Sequence, residues 1–429
     1  MLGNVRQNTN YQKRKILPIL LLLLTFVSVN QWSRIPIGNI TTTWMLAVAI
    51  YFCLFYEKHI SGIRFFEKPY WIVAVFGVWA IFGIIRGAFI AENYWEVKDL
   101  IGNIFILMLP ICVYAFNDEK LVADVLRLWL VYALLAYMVF FHWVMGISQF
   151  YLGPVYIIAC FWTFIPSKFW KIVILILILL LLTYNYQDQR SQMIKALMAI
   201  LIALFCEYRR FIPNILPKIG FYVLMLLPMV LLYLGLTGEY NLFEKIYEKY
   251  EGDNVIERQI NGEYTERDFS IDTRTFIYEE VVSSAIKNNY VVFGRTPARG
   301  NDTYFFYDYA SEKNAVRTTA NIKHERIKNE LCFPNIFTWL GLVGMFLYMG
   351  IYITAAYYGI FRSNSCFIQG AGLMTTFNFA YGWIENCTAF DILNFCYWIF
   401  IAMCLSPRFR KMNNEQFLSW YSSIFRRII

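Results

Sequence analysis

The amino-acid sequence predicts an all-α polytopic membrane protein, because the chain is strongly apolar and its apolar residues form long uninterrupted segments. Of the 429 residues, 59% are hydrophobic and only 16% are charged, whereas a soluble protein has about a quarter charged residues. The segments are about 17–25 residues long, the length that an α-helix needs to cross a bilayer. Strands of a transmembrane barrel would be shorter and would alternate polar with apolar residues.

We predict about twelve transmembrane helices, one for each apolar segment. A basic triplet at residues 13–15 precedes the first segment, as in a signal peptide, but no small-residue cleavage site follows it. We therefore expect this segment to be retained as a helix. The predicted spans are 16–30, 38–56, 70–90, 100–116, 122–145, 149–166, 170–185, 191–206, 217–236, 335–358, 366–384 and 388–405.

One long hydrophilic segment divides the chain into three parts. Residues 1–236 hold the first nine helices, residues 237–334 form a large loop, and residues 335–429 hold the last three helices and a tail. Most Lys and Arg residues of the short loops fall on one side of the predicted topology, which places both termini in the cytoplasm and the large loop outside. This bias largely explains the net charge of +8, so no nucleic-acid partner is inferred. The opposite side carries few cations, namely Arg34, Arg86, Lys98, Arg190 and Lys195.

The large loop is predicted to contain ordered structure. Within residues 272–289 the apolar residues recur at helical spacing, which predicts an amphipathic helix. The sequence YVVFGRTPARGND (290–302) then predicts a short strand that runs into a turn.

Arg190 is the first candidate for a functional residue. It stands in YQDQRSQ (186–192), at the outer end of the eighth predicted helix. Arginines at such positions often anchor a helix end at the membrane surface. Here the arginine lies on the side with few cations and among more hydrogen-bonding side chains than an anchor needs, which favours a functional role.

Arg274 and His324, both in the large loop, are the other two candidates. Arg274 opens the predicted loop helix, where the helix dipole prefers an anion. It implies a nearby anionic partner, which could be a ligand or simply Asp268 or Asp272. His324 is the loop's only histidine and could accept a hydroxyl proton near neutral pH, although a lone loop histidine is usually a surface residue. Its cationic neighbours suit phosphate or form a solvated charge run: Lys323, Arg326 and Lys328.

No metal or cofactor site is predicted. The sequence contains no CxxC, HExxH, P-loop or GxSxG motif, and the loop has no acidic pair at the spacing of metal ligands.

The order of these motifs resembles that of the O-antigen polymerase and O-antigen ligase superfamily of bacterial envelope glycosyltransferases. Gln189-Arg190-Ser191 is similar to the motif that opens that family's eighth span, and Arg274 followed by 289–294 is similar to its arginine-led loop helix and turn. Gly341-Leu342-Val343-Gly344 is similar to its "GllG" step. The resemblance covers the twelve-span layout and roughly residues 184–350. His324 lies seventeen positions before Gly341, farther than in the family, where an asparagine follows the histidine directly. Asn329 and Asn335 are the plausible partners of His324 in its place.

The resemblance implies transfer of glycans from undecaprenyl pyrophosphate at the periplasmic face of the bacterial inner membrane. Arg190 and Arg274 would hold the pyrophosphate and stabilise its departure, and His324 would act as the base without a metal or cofactor. Further substrate-binding candidates are Arg295, Arg326 and Asn335.

The acceptor would be either a second lipid-linked repeat unit, as in a polymerase that works with a chain-length regulator, or lipid A–core, as in a ligase. The diverged histidine motif favours the polymerase. A flippase for the same lipid is the alternative from another class. It is disfavoured because Asp391 is almost the only acid inside a predicted span and no inverted repeat is visible.

Overall fold

A computed structural model describes residues 15–28, 37–145, 148–183, 190–236, 255–260, 263–268, 274–303 and 323–426. Helices make up about 77% of the structure. The helices are α1 (Ile16–Val27), α2 (Ile40–Ser61), α3 (Trp71–Ile90), α4 (Tyr94–Ala115), α5 (Glu119–Val144), α6 (Gln149–Ala159), α7 (Lys168–Thr183), α8 (Arg190–Glu207), α9 (Leu216–Leu236), α10 (Arg274–Lys287), α11 (Cys332–Phe361), α12 (Cys366–Tyr381), α13 (Ile392–Leu405), α14 (Pro407–Lys411) and α15 (Asn414–Arg426).

Within the described ranges, six helices are long and apolar enough to cross a membrane: α2, α3, α4, α5, α9 and α11. The prediction of an all-α membrane protein is confirmed at this level. Each of the other six predicted spans also overlaps a helix, and three of these helices, α1, α6 and α13, are apolar but shorter. The count of twelve spans stays a prediction.

The interior of the bundle is built around α13, all of whose residues are buried. This helix packs against α6, α11 and α12. Because it is apolar on every side, it has no face for water, as expected of a helix enclosed by others. Its first turn is capped by Asp391, whose carboxylate accepts from the backbone N–H of Asn394 at 2.7 Å.

Polar contacts gather at the two ends of α4, which are about 33 Å apart for a 22-residue helix. Beyond its C-terminal end, Arg408 lies 3.8 Å from Asp118. At the same end, Trp420 of α15 donates to the carbonyl of Glu119. Before its N-terminal end, Glu92 pairs with Lys323 of the large loop at 2.8 Å. The described part of the loop and the C-terminal tail therefore contact opposite ends of α4. Which end faces the cytoplasm stays a prediction.

The described parts of the large loop contain a hairpin, a helix and a small strand pair. Strands β1 (Val255–Ile260) and β2 (Glu263–Asp268) are antiparallel, as are β3 (Asn301–Asp302) and β4 (Glu325–Arg326). Helix α10 confirms the predicted amphipathic helix, with Ile277, Val281 and Ala285 buried.

The predicted strand at the start of 290–302 is wrong, because residues 291–293 form turns. The backbone carbonyls of Val291 and Val292 accept hydrogen bonds from a helix and not from a neighbouring strand. Leu342 donates its N–H to the carbonyl of Val291 at 2.9 Å. This donor is available because α11 is broken at Gly341, which has φ 70° and ψ −172°.

Candidate functional site

The connection between α12 and α13, residues 382–391, is where several candidate residues converge. It is contacted by the first turn of α8, by α10 and by the first turn of α11. Helix α8 begins with Arg190 and helix α10 with Arg274. Asn335 is the fourth residue of α11. The large loop and the membrane helices therefore meet at this connection.

Helix α8 contacts Glu385 through two side chains that follow Arg190. Ser191 donates to the Glu385 carboxylate at 2.5 Å, and Lys195, one turn later, forms an ion pair with it at 2.5 Å. Gln149 of α6 accepts from Lys195 at 2.9 Å. Lys195 is only 1% exposed, so its charge is balanced by these neighbours and not by water.

Helix α10 contacts the same connection two residues earlier. Tyr278, one turn after Arg274, donates its hydroxyl to the carbonyl of Trp383. The starts of α8 and α10 are thus attached to positions 385 and 383 of one short segment. The side chains of Arg190 and Arg274 themselves lie outside the described residues.

Asn335 holds the start of α11 to this connection. Its amide nitrogen donates to Thr388 at 2.8 Å and to the carbonyl of Asn329 at 2.9 Å. Its amide oxygen accepts from the N–H of Asn329 at 2.6 Å. The side chain is fully buried, so the structure accounts for it through these internal bonds.

The two glycine motifs of the family resemblance contact each other directly. A Cβ on Gly294 would lie 2.4 Å from the backbone nitrogen of Leu340, and one on Gly341 would lie 2.1 Å from the carbonyl oxygen of Val292. The N–H of Arg295 donates to the carbonyl of Thr338 at 2.7 Å. Both glycines have positive φ, so the lack of a side chain is what lets the loop dock on the broken helix.

An ion-pair network fixes the strand pair β3–β4 to the helix ends. The carboxylate of Glu325, which is 1% exposed, forms an ion pair with Arg295 at 2.9 Å. It also accepts hydrogen bonds from Nε and Nη2 of Arg299. Lys323 lies 2.5 Å from Glu96. Among the described residues, the network joins four cations to four carboxylates: Lys287, Arg295, Arg299, Lys323, Glu92, Glu96, Asp302 and Glu325. Arg295 therefore already has carboxylate partners, Asp302 and Glu325.

These contacts lower the pKa of an acid in the network, Asp302, and raise the pKa of a base, Lys323. Burial alone would raise the pKa of Asp302, but hydrogen bonds from Arg295 and Asn288 bring it below the ordinary value. Burial alone would lower the pKa of Lys323, but its bonds to Glu92 and Glu96 raise it above the ordinary value. Both shifts favour the charged forms, which keeps the network intact at neutral pH.

His324 lies between two members of this network along the chain, Lys323 and Glu325. Its side chain is exposed, and its backbone has φ 53°. Its carbonyl accepts from the N–H of Thr303 at 2.9 Å. Since the flanking residues Lys323 and Glu325 are both held by ion pairs, the network fixes the position from which the imidazole projects.

The predicted site residues therefore fall into two groups. Asn335 and the helix starts at Arg190 and Arg274 converge on residues 382–391, whereas Arg295, Arg326 and His324 belong to the strand pair and its network. Arg326 is buried and donates to the carbonyl of Lys328 at 3.2 Å. A hydrogen bond of 3.0 Å between Asn329 and Asn301 links the two groups.

Sequence analysis missed Lys195 and Glu385 as members of the site. The sequence places Lys195 among the cations of the outer side, and Glu385 stands one residue beyond the predicted span 366–384. The available signal was an ionisable residue one helical turn inside an apolar segment, which by default suggests function. Its partner could not be identified because it is 190 positions away along the chain.

Among the described residues, no group of three or more His, Cys, Asp or Glu side chains could hold a metal ion.

Comparisons of the chain with protein-family models, with curated proteins and with solved structures found no match.

Proposed function

We propose that this protein is an inner-membrane glycosyltransferase that polymerises undecaprenyl-pyrophosphate-linked repeat units at the periplasmic face. The observation that carries the proposal is the attachment of the starts of α8 and α10 to Glu385 and Trp383. Two helices that each begin with an arginine thus approach one short segment. Helix N-termini and arginines both favour phosphate oxygens.

This arrangement suits a diphosphate that is attached to a lipid. The membrane helix α8 would bring Arg190 to the depth of the lipid headgroup, and the loop helix α10 would bring Arg274 over it. A guanidinium presents a planar fork of donors with a permanent charge, so the pair could hold both phosphates. The paired cations Arg295 and Arg299 would instead keep the loop in place.

The proposed transfer step uses Arg190, Arg274 and His324. The acceptor hydroxyl oxygen attacks the anomeric carbon of the donor sugar, and its proton passes to the imidazole of His324. The bond between that carbon and the diphosphate oxygen breaks, and the electron pair leaves with the diphosphate. Negative charge grows on the diphosphate as the bond breaks, so Arg190 and Arg274 would stabilise the transition state more than the ground state.

The proposal is tested by transfer activity of the purified protein with a lipid pyrophosphate donor. Arg190→Ala and Arg274→Ala should each abolish product formation while the protein still accumulates in the membrane. Lysine at either position should restore activity only partly, because a point charge does not reproduce the bidentate fork. Arg362→Ala is the matched control, since Arg362 is an exposed arginine at the far end of α11. Full activity of Arg190→Ala would contradict the proposal.

The same assay separates the alternatives. A ligase would extend only lipid A–core, and a polymerase would extend lipid-linked repeat units. A flippase would form no glycosidic product, because it moves the lipid across the membrane without transferring its sugar.

A further inference from the structure

Helix α8 carries a buried glutamine whose side-chain amide has no hydrogen-bond partner among the described residues. Gln192 is 1% exposed, and within the described part of the chain neither end of its amide is bonded. Lys195 lies three residues after Gln192 and four after Ser191, so its side chain neighbours both on the helix surface. Leaving buried polar groups unsatisfied is costly and unusual, and each such group calls for an explanation.

A second polar group without a described partner lies beside the Lys195–Glu385 ion pair. Tyr397 of α13 is buried, and its hydroxyl makes no hydrogen bond to the described residues. Its ring centre is 5.6 Å from the Lys195 ammonium nitrogen, and that of Tyr381 is 5.5 Å away. The polar cluster thus comprises Gln149, Ser191, Gln192, Lys195, Glu385 and Tyr397.

The cluster is accessible at one edge. The Glu385 side chain is 17% exposed, against 1% for Lys195, and Ser191 and Gln149 are partly buried. A ligand at this edge would meet the carboxylate, the hydroxyl and the amide first, whereas Gln192 and Tyr397 are buried. The edge adjoins Arg190, which directly precedes Ser191.

The chemistry of the cluster selects a neutral ligand with several hydroxyl groups. Lys195 and Glu385 neutralise each other, so an ion gains little from binding there. The groups without a described partner include a donor, an acceptor and a hydroxyl that can be either. Sugar hydroxyls both donate and accept, and aromatic rings such as those of Tyr381 and Tyr397 provide apolar faces beside them.

We infer that this polar cluster is a sugar-binding subsite, which holds the sugar attached to the diphosphate of the lipid-linked substrate. The inference rests on the proposed function and adds to it a position for that sugar, between α8 and the 382–391 connection. Gln192 and Tyr397 would determine affinity for the sugar, and Arg190 would hold the neighbouring phosphate.

The first test measures thermal stability without substrate. Gln192→Leu has a similar shape and removes two unsatisfied polar groups, so it should melt at the same or a higher temperature than the wild type. Such a gain is the signature of a residue kept for function at the expense of stability. The matched control is Gln369→Leu, because Gln369 also has an unbonded amide oxygen and lies about 18 Å along α12 from Tyr381. A lower melting temperature for Gln192→Leu would overturn the inference, since the amide would then have a structural partner.

The second test measures binding of two lipids to the purified protein. One is undecaprenyl diphosphate, and the other is the same lipid bearing a single hexose or N-acetylhexosamine. The wild type should bind the sugar-bearing lipid at least tenfold more tightly than the bare lipid. Gln192→Leu and Tyr397→Phe should reduce this ratio to near one and leave affinity for the bare lipid unchanged, whereas Gln369→Leu should keep the ratio.

The outcomes distinguish the two proposals. A wild type that binds both lipids equally, or a Gln192→Leu variant that keeps the preference, would overturn the subsite alone. A wild type with no affinity for bare undecaprenyl diphosphate would contradict the proposed function.

Discussion

Replacing Gly341 with alanine tests how the large loop is held on the membrane helices. The residue has φ 70° and ψ −172°, a conformation that is essentially restricted to glycine and costs another residue about 1–3 kcal/mol. An added Cβ would also lie 2.1 Å from the carbonyl oxygen of Val292. The atoms nearest to this Cβ, the carbonyl oxygen and carbon of Val292 and the nitrogen of Gly294, all belong to the backbone. No side-chain rotation can therefore relieve the contact, and the turn must move away from α11.

That movement breaks specific hydrogen bonds. The bonds at risk run from Leu342 to the carbonyl of Val291 at 2.9 Å and from Arg295 to the carbonyl of Thr338 at 2.7 Å. Each contributes about 0.5–1.5 kcal/mol. Together with the backbone strain, the expected loss is about 2–6 kcal/mol, which in a chain of 429 residues lowers the melting temperature by roughly 2–7 °C.

The assay is thermal unfolding of the purified protein in detergent, with limited proteolysis to detect release of the loop. Gly77→Ala is the matched control, because Gly77 lies inside α3 with no atom within 4 Å of an added Cβ. There alanine should be neutral or stabilising by up to about 1 kcal/mol. If Gly341→Ala melts within about 1 °C of the wild type, the docking of the loop on the broken helix is refuted.

Three further predictions concern the base, the topology and the ion-pair network. His324→Ala should lower the transfer rate by about 10²–10⁴-fold with donor still bound, and a loss under about tenfold would be too small for a proton acceptor; activity should persist in EDTA. An impermeant thiol reagent on intact spheroplasts should label cysteines introduced in 240–320 and miss those near 58–68, and the reverse pattern would overturn the orientation. Asp302→Asn should melt below the wild type at pH 7. The pKa of Asp302 is lower in the folded protein than its ordinary value of 3.8, so the ionised carboxylate stabilises the fold at pH values above 3.8. This difference should close as the pH falls below about 4, and a difference that widened in acid would contradict the assigned ion pairs.

Much of the helical framework could be predicted because hydropathy is a local property of the sequence. Every predicted span overlaps a helix of the structure, and the predicted loop helix is α10. The strand at the start of 290–302 was predicted wrongly because a short run of β-branched and aromatic residues, YVVF, indicates an extended chain without identifying its hydrogen-bond partner. That partner is the backbone of α11 beyond Gly341, about fifty positions away.

The sequence by itself determined that the chain is a helical membrane protein, where its helices lie and which residue types stand at their ends. Only the tertiary structure decided which charges are paired. Arg295 and Arg299 share Glu325, and Lys195 pairs with Glu385. An ion pair depends on atoms within about 4 Å of each other, and the chain brings such atoms together only after its helices have packed. For that reason Glu385, which joins α8 to the connection before α13, entered the site from the structure and not from the sequence.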